Sequence, residues 1–317
     1  MTHSFGNAVV IGSGAVGEMF AGLLAADGVR VRSFDRRTGT DANDPPTGEY
    51  GSALAGSGLV VLALPESVTR QALQHVLTTA SRALVVDTTS VKMAIAPVWA
   101  GVVGRPPVLS VNPMFAPSLA PAGRPCLVVD PDGGPAGRRF VALLARWGLR
   151  VIEVRDVLEH DRLCAAVQAG VHAAVLALGA VLAASPLSVD DVWALAPPPC
   201  RVMLLLLARI SNGAPEVYED IQVRNTFAAD SREGLAAALA HLNQELRLSG
   251  GMPTTLANIA AWLGERRDPL GNDCRRMFED LAASTTPDAV GGTQPVQDRG
   301  AVPGEPDGQA RPSSSDT

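Results

Sequence analysis

The chain has 317 residues, of which 47% are hydrophobic and 18% are charged, and its 26 basic and 32 acidic residues give a formal net charge of −6. This length suits about two domains, and the acidic balance argues against a nucleic-acid-binding protein, which usually presents a basic face. The four cysteines form no CxxC pair and no metal-ligand spacing, so we expect reduced thiols, no metal site and a cytoplasmic protein.

The first half of the chain alternates between strand and helix patterns. Short apolar runs predict strands at residues 8–11, 29–34, 59–64, 83–87, 108–111 and 126–129. Helical patterns occupy residues 18–26, 67–80 and 135–147. This alternation predicts right-handed parallel crossovers, and therefore an α/β domain with a doubly wound, Rossmann-type sheet.

The second half, from about residue 156, predicts only helices. Helical patterns cover residues 158–184, a segment after Pro197 that runs through Leu207, 215–247 and 253–265. From Ser284 onward the composition turns to Pro, Gly, Ser, Asp and Gln, which predicts disorder. We therefore predict a dinucleotide-binding domain, an all-α substrate and dimerisation domain, and a disordered tail, at residues 1–155, 156–283 and 284–317.

Targeting and membrane segments are not predicted. The N-terminus enters an apolar strand without a basic region and cleavage site, so we expect no signal peptide. The longest uncharged apolar run, Ala173–Ala184, is shorter than the roughly 18 residues of a membrane span.

A glycine-rich turn, Gly12-Ser-Gly-Ala-Val-Gly17, follows the first strand and opens the first helix. In this context the pattern predicts a dinucleotide site, with the pyrophosphate on the helix N-terminus. Asp35 ends the second strand, where a carboxylate binds the ribose hydroxyls of NAD, although Arg36 and Arg37 could accept the extra phosphate of NADP. The predicted NAD-binding residues are Gly12, Ser13, Gly14, Ala15, Val16, Gly17, Asp35, Leu64 and Pro65.

Four further motifs follow the glycine turn in order. They are Asp87-Thr-Thr-Ser90-Val-Lys92, Asn112-Pro-Met-Phe-Ala-Pro117, Glu159-His-Asp161 with Gln168-Ala-Gly-Val-His172, and Arg209-Ile with Tyr218 nine residues after Arg209. In order and spacing these motifs resemble the prephenate dehydrogenase family over roughly residues 8–280.

The resemblance implies a Rossmann domain joined to a helical dimerisation domain, with the active site between them. Family members oxidise C4 of a cyclohexadiene dicarboxylate with NAD or NADP and release its C1 carboxylate as carbon dioxide. By this resemblance Ser90 hydrogen-bonds the C4 substituent, and Arg209 clamps a substrate carboxylate. Gln168 and His172 help to hold the substrate, and Tyr218 lies near Arg209. A homodimer and a small-molecule substrate are the implied partners.

Without the resemblance, each of these residues has an ordinary structural interpretation. Ser90 could cap the next helix, His172 could be a core or interface histidine, and Arg209 could form a simple ion pair. The His160-Asp161 pair is interpreted as a structural feature at a helix start. The joint pattern is what favours a functional interpretation.

One departure from the family pattern concerns the group that accepts a proton. The family motif reads His-Pro-Met-Phe-Gly-Pro, and its histidine takes the proton from the C4 hydroxyl, whereas this chain has Asn112 and Ala116. Asparagine cannot act as a general base at neutral pH. Asn112 is still predicted to be catalytic, through its carbonyl oxygen.

A C4 amine would explain the missing base. A hydroxyl needs its proton removed as C4 is oxidised, whereas an amine nitrogen supports the developing cation with its own lone pair. We therefore expect oxidation of 4-amino-4-deoxyprephenate to 4-aminophenylpyruvate, a reaction that supplies p-aminophenylalanine for antibiotic pathways.

Three other functions remain open at this stage. The first is an ordinary prephenate or arogenate dehydrogenase, and the second is a catalytically inactive NAD-binding regulator, against which the retained Ser90, Lys92, His172 and Arg209 argue. The third is a β-hydroxyacid dehydrogenase, whose catalytic lysine has no counterpart in residues 158–184.

Overall fold

The computed structural model describes residues 5–247 and 252–284, and within them seven strands form one sheet. Helices separate most of the consecutive strands along the chain, as the periodicity predicts. The strands are β1 (Asn7–Ile11), β2 (Arg30–Phe34), β3 (Leu59–Leu62), β4 (Leu84–Asp87), β5 (Val108–Pro113), β6 (Pro125–Val129) and β7 (Arg150–Glu153).

The order of the strands in the sheet is β2-β1-β3-β4-β5-β6-β7. Strands β1 to β5 are parallel, β6 pairs antiparallel with β5, and β7 pairs parallel with β6. The chain crosses from β2 back over β1 to reach β3, so a crevice opens at the carboxyl ends of β1 and β3, where such sheets bind ligands. The predicted doubly wound α/β class is confirmed, with a reversed pair at one edge.

Helices cover both faces of the sheet. They are α1 (Ala15–Ala26), α2 (Gly48–Ala55), α3 (Glu66–Thr79), α4 (Ala96–Ala100) and α5 (Pro135–Arg146). Alternate residues of β1 enter two separate cores: Val9 and Ile11 pack with Leu73 and Leu77 of α3 on one face, while Ala8 and Val10 pack with residues of α1 and α5 on the other. Because both faces are covered, the central strands are apolar throughout, which is why their sequences predict strands so clearly.

The second half of the described chain is helical, as predicted. Its helices are α6 (Val157–Cys164), α7 (Gly170–Ala183), α8 (Val189–Leu195), α9 (Pro198–Ser211), α10 (Pro215–Glu219), α11 (Ala228–Arg247), α12 (Met252–Leu263) and α13 (Arg267–Ser284). Two π-helical turns, Ala165–Ala169 and Asp220–Arg224, interrupt the α-helical pattern. Apart from Ser284, the predicted disordered tail lies outside the described residues.

Some elements were not predicted from the sequence patterns. They are short or exposed, or they have a serine or a proline at the start of the helix. Strand β7 lies at the sheet edge with mostly exposed side chains, so it has no apolar run. Helix α8 begins with a capping box between Ser188 and Asp191. Helix α13 contains Pro269 in its first turn, a position that tolerates proline.

Helix α6, the first π-helical turn and α7 form one continuous helix, Val157–Ala183, of 27 residues. Its most apolar window has a mean hydropathy of 1.8 and is 17% buried, so by length and composition alone it is long and apolar enough to cross a membrane. The apolar run Ala173–Ala184 is shorter than this helix because it begins after Gln168 and His172. The length of the helix therefore does not exclude a membrane span.

We predict that Gly17→Ala destabilises the first half of the protein and weakens dinucleotide binding. A Cβ at Gly17 would lie 1.9 Å from the carbonyl oxygen of Gly12, and overpacking of this kind costs about 1–3 kcal/mol. The matched control is Gly22→Ala in the same helix, where a Cβ would meet no atom within 4 Å, so we expect about 0.5–1 kcal/mol of stabilisation. Urea unfolding of both variants is the measurement, and equal stabilities would contradict the prediction.

Candidate active site

The glycine turn after β1 lies at the crevice between β1 and β3. Gly12 has a φ of +98°, and a Cβ there would lie 2.2 Å from the carbonyl oxygen of Ala63, so this position requires glycine. Gly14 has an ordinary φ of −75°, and its Cβ would project into open space. Helix α1 begins at the next residue without a side-chain cap. The turn therefore leaves an open, positively polarised helix N-terminus that fits the pyrophosphate of a dinucleotide.

Asp35 follows β2 and is tied to the same turn. Its carboxylate accepts hydrogen bonds from the backbone N–H of Ser13 at 2.8 Å and of Arg37 at 2.9 Å, and from Arg37 Nε at 3.0 Å. These bonds, led by that from Ser13, hold the pKa of Asp35 well below its usual range. The Arg37 guanidinium also donates to the Ser13 hydroxyl at 2.8 Å. A fixed anion thus stands where the adenosine ribose of a dinucleotide would lie.

Leu64 and Pro65 complete the predicted cofactor set. They follow β3 at the same edge of the sheet, and Pro65 is the residue immediately before α3. The predicted cofactor residues Ala15 and Val16 form the first turn of α1 together with Gly17. The structure therefore places all of the predicted cofactor residues around one crevice.

A buried ion pair holds the loop that carries Ser90. Lys92 is completely buried, and its Nζ donates to Asp87 Oδ1 at 2.7 Å and to the carbonyl oxygen of Val111 at 2.8 Å. The Asp87 carboxylate also accepts hydrogen bonds from Thr89 Oγ1 at 2.8 Å and from Ser110 Oγ. Lys92 is therefore a structural cation, because the Asp87 carboxylate and the Val111 carbonyl oxygen enclose its ammonium group.

Asp161 joins this loop to the helical half. Its buried carboxylate accepts hydrogen bonds from the backbone N–H of Lys92 and of Met93, both at 2.9 Å, and from His160 Nδ1 at 2.7 Å. Asn225 Nδ2 donates to the Asp161 carbonyl oxygen at 2.8 Å. The interpretation of His160 and Asp161 as a helix-start feature is wrong, since Asp156 caps α6 and the pair lies at the junction of the two halves.

Asn112 ends β5 beside this junction and is 1% exposed. Its Nδ2 lies 3.2 Å from His160 Nε2 and 3.4 Å from Cys164 Sγ. Burial lowers the pKa of His160, so its imidazole is neutral at neutral pH, and burial raises the pKa of the Cys164 thiol to about 12. Neither of these groups on α6 is charged, and the position where the family has its proton acceptor contains no base.

Ser90 is half-buried at the carboxyl end of β4, at the same sheet edge as Asn112. The register supports this neighbourhood, since Asp87 of β4 pairs with Ser110 of β5. Among residues 5–247 and 252–284, no group hydrogen-bonds the Ser90 hydroxyl. The alternative in which Ser90 caps a helix is not observed, since α4 begins at Ala96 and Ile95 precedes it.

The first π-helical turn and the start of α7 each present one polar side chain with an unsatisfied atom. Gln168 Oε1 and His172 Nδ1 are buried and lack hydrogen-bond partners among the described residues. The His172 ring packs edge-on against Tyr218, with centroids 5.2 Å apart. Burial, and next the charge of Arg209, lower the pKa of His172. Buried polar atoms without partners indicate a place for a polar ligand.

Gln222 links the two π-helical turns. From the second turn, its Nε2 donates to the Ala169 carbonyl oxygen of the first at 2.8 Å, and Arg232 Nη1 donates to Gln222 Oε1 at 3.0 Å. π-Helical turns occur frequently at functional sites. The turns therefore fix the helix segments that carry Gln168 and Tyr218.

Arg209 is exposed on α9 and lines a groove of about 500 Å³ together with α13 residues that include Asp280. The same guanidinium lies close enough to His172 for its charge to oppose imidazole protonation. The structure thus brings Gln168, His172, Arg209 and Tyr218 together in the helical half.

A second connection between the halves begins at α3 and was not predicted. Glu66 is 1% exposed, its Oε2 lies 2.9 Å from Arg224 Nε, and its backbone N–H donates to Asp220 Oδ2 at 3.0 Å. Burial raises the pKa of Glu66, although Arg224 opposes the shift. In the sequence, the signal that could have indicated this connection is the charged residue Glu66, which comes directly after Leu64 and Pro65 at the end of β3.

Comparisons with known proteins agree with this arrangement. Residues 156–261 match the family model described as prephenate dehydrogenase, dimerization domain. The chain is 41% identical over 299 residues to a 4-amino-4-deoxyprephenate dehydrogenase of Streptomyces pristinaespiralis, covering 87% of this chain and 98% of that protein. It is 29% identical over 215 residues to the T-protein of Enterobacter agglomerans, covering 67% of this chain and 55% of that protein.

A solved structure shows the same fold. It is a prephenate dehydrogenase from A. aeolicus in complex with hydroxyphenyl propionate and NAD+, with a TM-score of 0.65 and 17% identity. The alignment covers 82% of this chain and 98% of that structure.

We predict that Asp35→Ala weakens NAD binding about ten- to hundredfold and reduces the difference between the affinities for NAD and NADP. Removing a charged hydrogen-bond partner costs roughly 1.5–3 kcal/mol, and the change releases Arg37 to accept a phosphate. Asp41→Ala is the matched control, because Asp41 pairs with Arg36 at 3.4 Å outside this network. Fluorescence titration with both nucleotides is the measurement, and an unmutated protein that prefers NADP would contradict the prediction.

Proposed function

The chain belongs to the prephenate dehydrogenase family, and on that premise we propose that it catalyses the NAD-dependent oxidative decarboxylation of 4-amino-4-deoxyprephenate to 4-aminophenylpyruvate. The observation that carries the choice of substrate is Asn112, a buried neutral amide at the position of the family's catalytic histidine. A relative that matches nearly its whole length to this chain is named for the same substrate. The product supplies p-aminophenylalanine for secondary metabolism.

The site suits a C4 amine because the position of the family's proton acceptor holds no base. Asn112 has no basic atom, and the neighbouring His160 directs its Nε2 at the Asn112 amide. A C4 hydroxyl would develop an oxocarbenium-like centre without help from a base. The amine nitrogen stabilises the developing cation with its own lone pair, so a hydrogen-bond acceptor is sufficient.

NAD, when bound, accepts the two electrons and the hydrogen that leave C4. The C1 carboxylate departs as carbon dioxide, its bonding electrons enter the ring, and the ring becomes aromatic. When the C4 amine is unprotonated, the substrate dianion and NAD+ give the product monoanion, carbon dioxide and NADH, so the reaction of this form balances without release of a proton. The protein therefore has to bind, orient and exclude water, and it does not have to act as a net proton acceptor.

We assign the roles as follows. The Ser90 hydroxyl and the Asn112 carbonyl oxygen hydrogen-bond the C4 amine, from the loops at the ends of β4 and β5. Arg209 binds a substrate carboxylate, supported by Gln168, His172 and Tyr218; the unpartnered Gln168 Oε1 and His172 Nδ1 and the contact of the His172 ring with Tyr218 support this assignment. A neutral His172 can donate a hydrogen bond to the substrate without adding a second cation beside Arg209.

The cofactor would lie in the crevice of the first half. Gly12, Ser13, Gly14, Ala15, Val16 and Gly17 would hold the pyrophosphate, Asp35 the adenosine ribose, and Leu64 and Pro65 the adjoining part of the cofactor. We propose that the domain division is 1–155 for this half and 156–283 for the helical half, so that substrate and cofactor meet at the Asp161 junction.

We propose that the protein is a homodimer in the cytoplasm. The matched dimerisation domain includes the long apolar helix, which supports the proposal that the apolar surface of this helix pairs with a second subunit. Large apolar side chains are exposed across α6–α7, α11 and α12, more than a solvent-facing surface usually carries. They include Val167, Val171, Val181, Leu239, Ile259 and Trp262.

We predict that Arg209→Ala raises the Michaelis constant for the substrate strongly and leaves NAD affinity nearly unchanged. Truncating one side of a charge-assisted pair typically costs about 2–5 kcal/mol. Arg276→Ala is the control, because this exposed arginine of α13 pairs only locally with Asp273 among the described residues. Steady-state kinetics and NAD titration are the measurements, and equal loss of both affinities would make Arg209 a structural residue.

We predict that the unmutated protein turns over 4-amino-4-deoxyprephenate well and prephenate poorly. In Asn112→His, an imidazole can donate one N–H to His160 Nε2 and keep its other nitrogen as a base, so prephenate activity should rise; general-base catalysis contributes about 10²–10⁴-fold. The same variant should lose activity on the amine. NADH absorbance with prephenate, arogenate and the amine on both proteins is the measurement. An unmutated protein that prefers prephenate or arogenate would overturn the proposed substrate.

A further inference from the structure

The two nitrogens of His160 have chemically different partners. Nδ1 lies 2.7 Å from Asp161 Oδ1, and Nε2 lies 3.2 Å from Asn112 Nδ2. Asp161 already accepts two backbone N–H groups, so it faces Nδ1 as an acceptor. The proton of the neutral imidazole is therefore on Nδ1, and Nε2 presents a lone pair to Asn112.

This lone pair decides how the Asn112 amide is oriented. The amide nitrogen has two N–H groups, of which one points to His160 Nε2 and the other to Cys164 Sγ at 3.4 Å. If the amide turned over, its oxygen would meet the imidazole lone pair and the sulfur, and both N–H bonds would be lost. No donor among the described residues reaches Asn112 Oδ1, so this oxygen remains available to a ligand.

We propose that His160 is a positioning residue that determines which edge of the Asn112 amide faces the substrate. This inference rests on the proposed function and extends it to the residue that sets its specificity. With Oδ1 forward, Asn112 accepts an N–H of the C4 amine and leaves the nitrogen lone pair free to support the cation. With the NH2 forward, the amide would donate to that lone pair and withhold it from the reaction.

The chain Asp161–His160–Asn112 extends from the loop of Lys92 to the reacting position. His160 and Asp161 are both completely buried, so solvent does not compete for these hydrogen bonds. The pKa of His160 is lowered, mainly by burial, which keeps the lone pair on Nε2 through the neutral range. The groups that face the imidazole are Asp161, Asn112 and Cys164, with the charges of Lys92 and Asp87 close by.

The first test measures the imidazole tautomer in the full-length, unmutated protein. Nitrogen-15 NMR of histidine-labelled protein distinguishes a proton on Nδ1 from one on Nε2, and the signal that disappears in His160→Gln identifies the residue. We expect the proton on Nδ1 at neutral pH. A proton on Nε2, or on both nitrogens, would overturn the proposal whatever the substrate is.

The second test compares His160→Phe with His160→Gln. Phenylalanine removes both hydrogen bonds, whereas glutamine can donate to Asp161 and accept from Asn112, so it can restore the orientation. We expect kcat/KM for 4-amino-4-deoxyprephenate to fall about tenfold or more in His160→Phe, the scale of a lost buried hydrogen bond, and to recover most of that loss in His160→Gln. His241→Phe, at an exposed position of α11, is the control and should match the unmutated protein.

NAD affinity and thermal stability are measured on each variant, so that a positioning role is separated from a structural one. The proposal requires that the loss in His160→Phe falls on kcat while NAD affinity is kept. Equal activity in the phenylalanine and glutamine variants would overturn it. If the unmutated protein prefers prephenate, the proposed substrate fails, whereas the tautomer measurement still decides the orientation of Asn112.

Discussion

One buried carboxylate holds the two halves of the protein together. Asp161 extends from α6 in the helical half and accepts two backbone N–H groups of the Ser90 loop and one from His160. Removal of the Asp161 carboxylate would leave all three donors without an acceptor. This would lower the free energy of unfolding far more than the loss of a surface contact. The loop, the end of β5 and the start of the long helix therefore keep fixed relative positions. The proposed chemistry depends on this constraint, because the residues proposed to hold the cofactor belong to one half and those proposed to bind the substrate carboxylate belong to the other.

The features that could be predicted from the sequence are those that depend on local chemistry. Gly12 and Gly17 are required by atoms that lie close along the chain or on the next strand, so the turn is recognisable from spacing alone. The central strands could be predicted from their apolar runs, which are continuous because helices cover both faces of the sheet. The motif resemblance predicted that Gln168, His172, Arg209 and Tyr218 belong to one site in the helical half. The structure places the His172 ring against the Tyr218 ring.

The remaining features depend on contacts between residues far apart in sequence. Asp161 meets Lys92 across 69 residues, so nothing near Asp161 in the sequence shows that it is an interdomain anchor. The sequence does not show what Lys92 binds, and only the fold shows that Asp87 and a strand carbonyl enclose it. The orientation of the Asn112 amide depends in turn on which nitrogen of His160 carries the proton. The first π-helical turn could not be recognised in the sequence, because the helix that contains it is composed mainly of alanine, valine and leucine.

That π-helical turn restricts how the length of this segment can change during evolution. A π-helical turn contains one residue more than the α-helical hydrogen-bond pattern uses, and each helical residue turns the following side chains by about 100°. His160 precedes the turn and His172 follows it, so the extra residue sets the angle between the face that meets the sheet and the face that meets Tyr218. Gain or loss of one residue between them would rotate His172 by more than a quarter turn while His160 stayed in place. Descendants of this sequence can exchange side chains in the helix, but they have to keep its residue count.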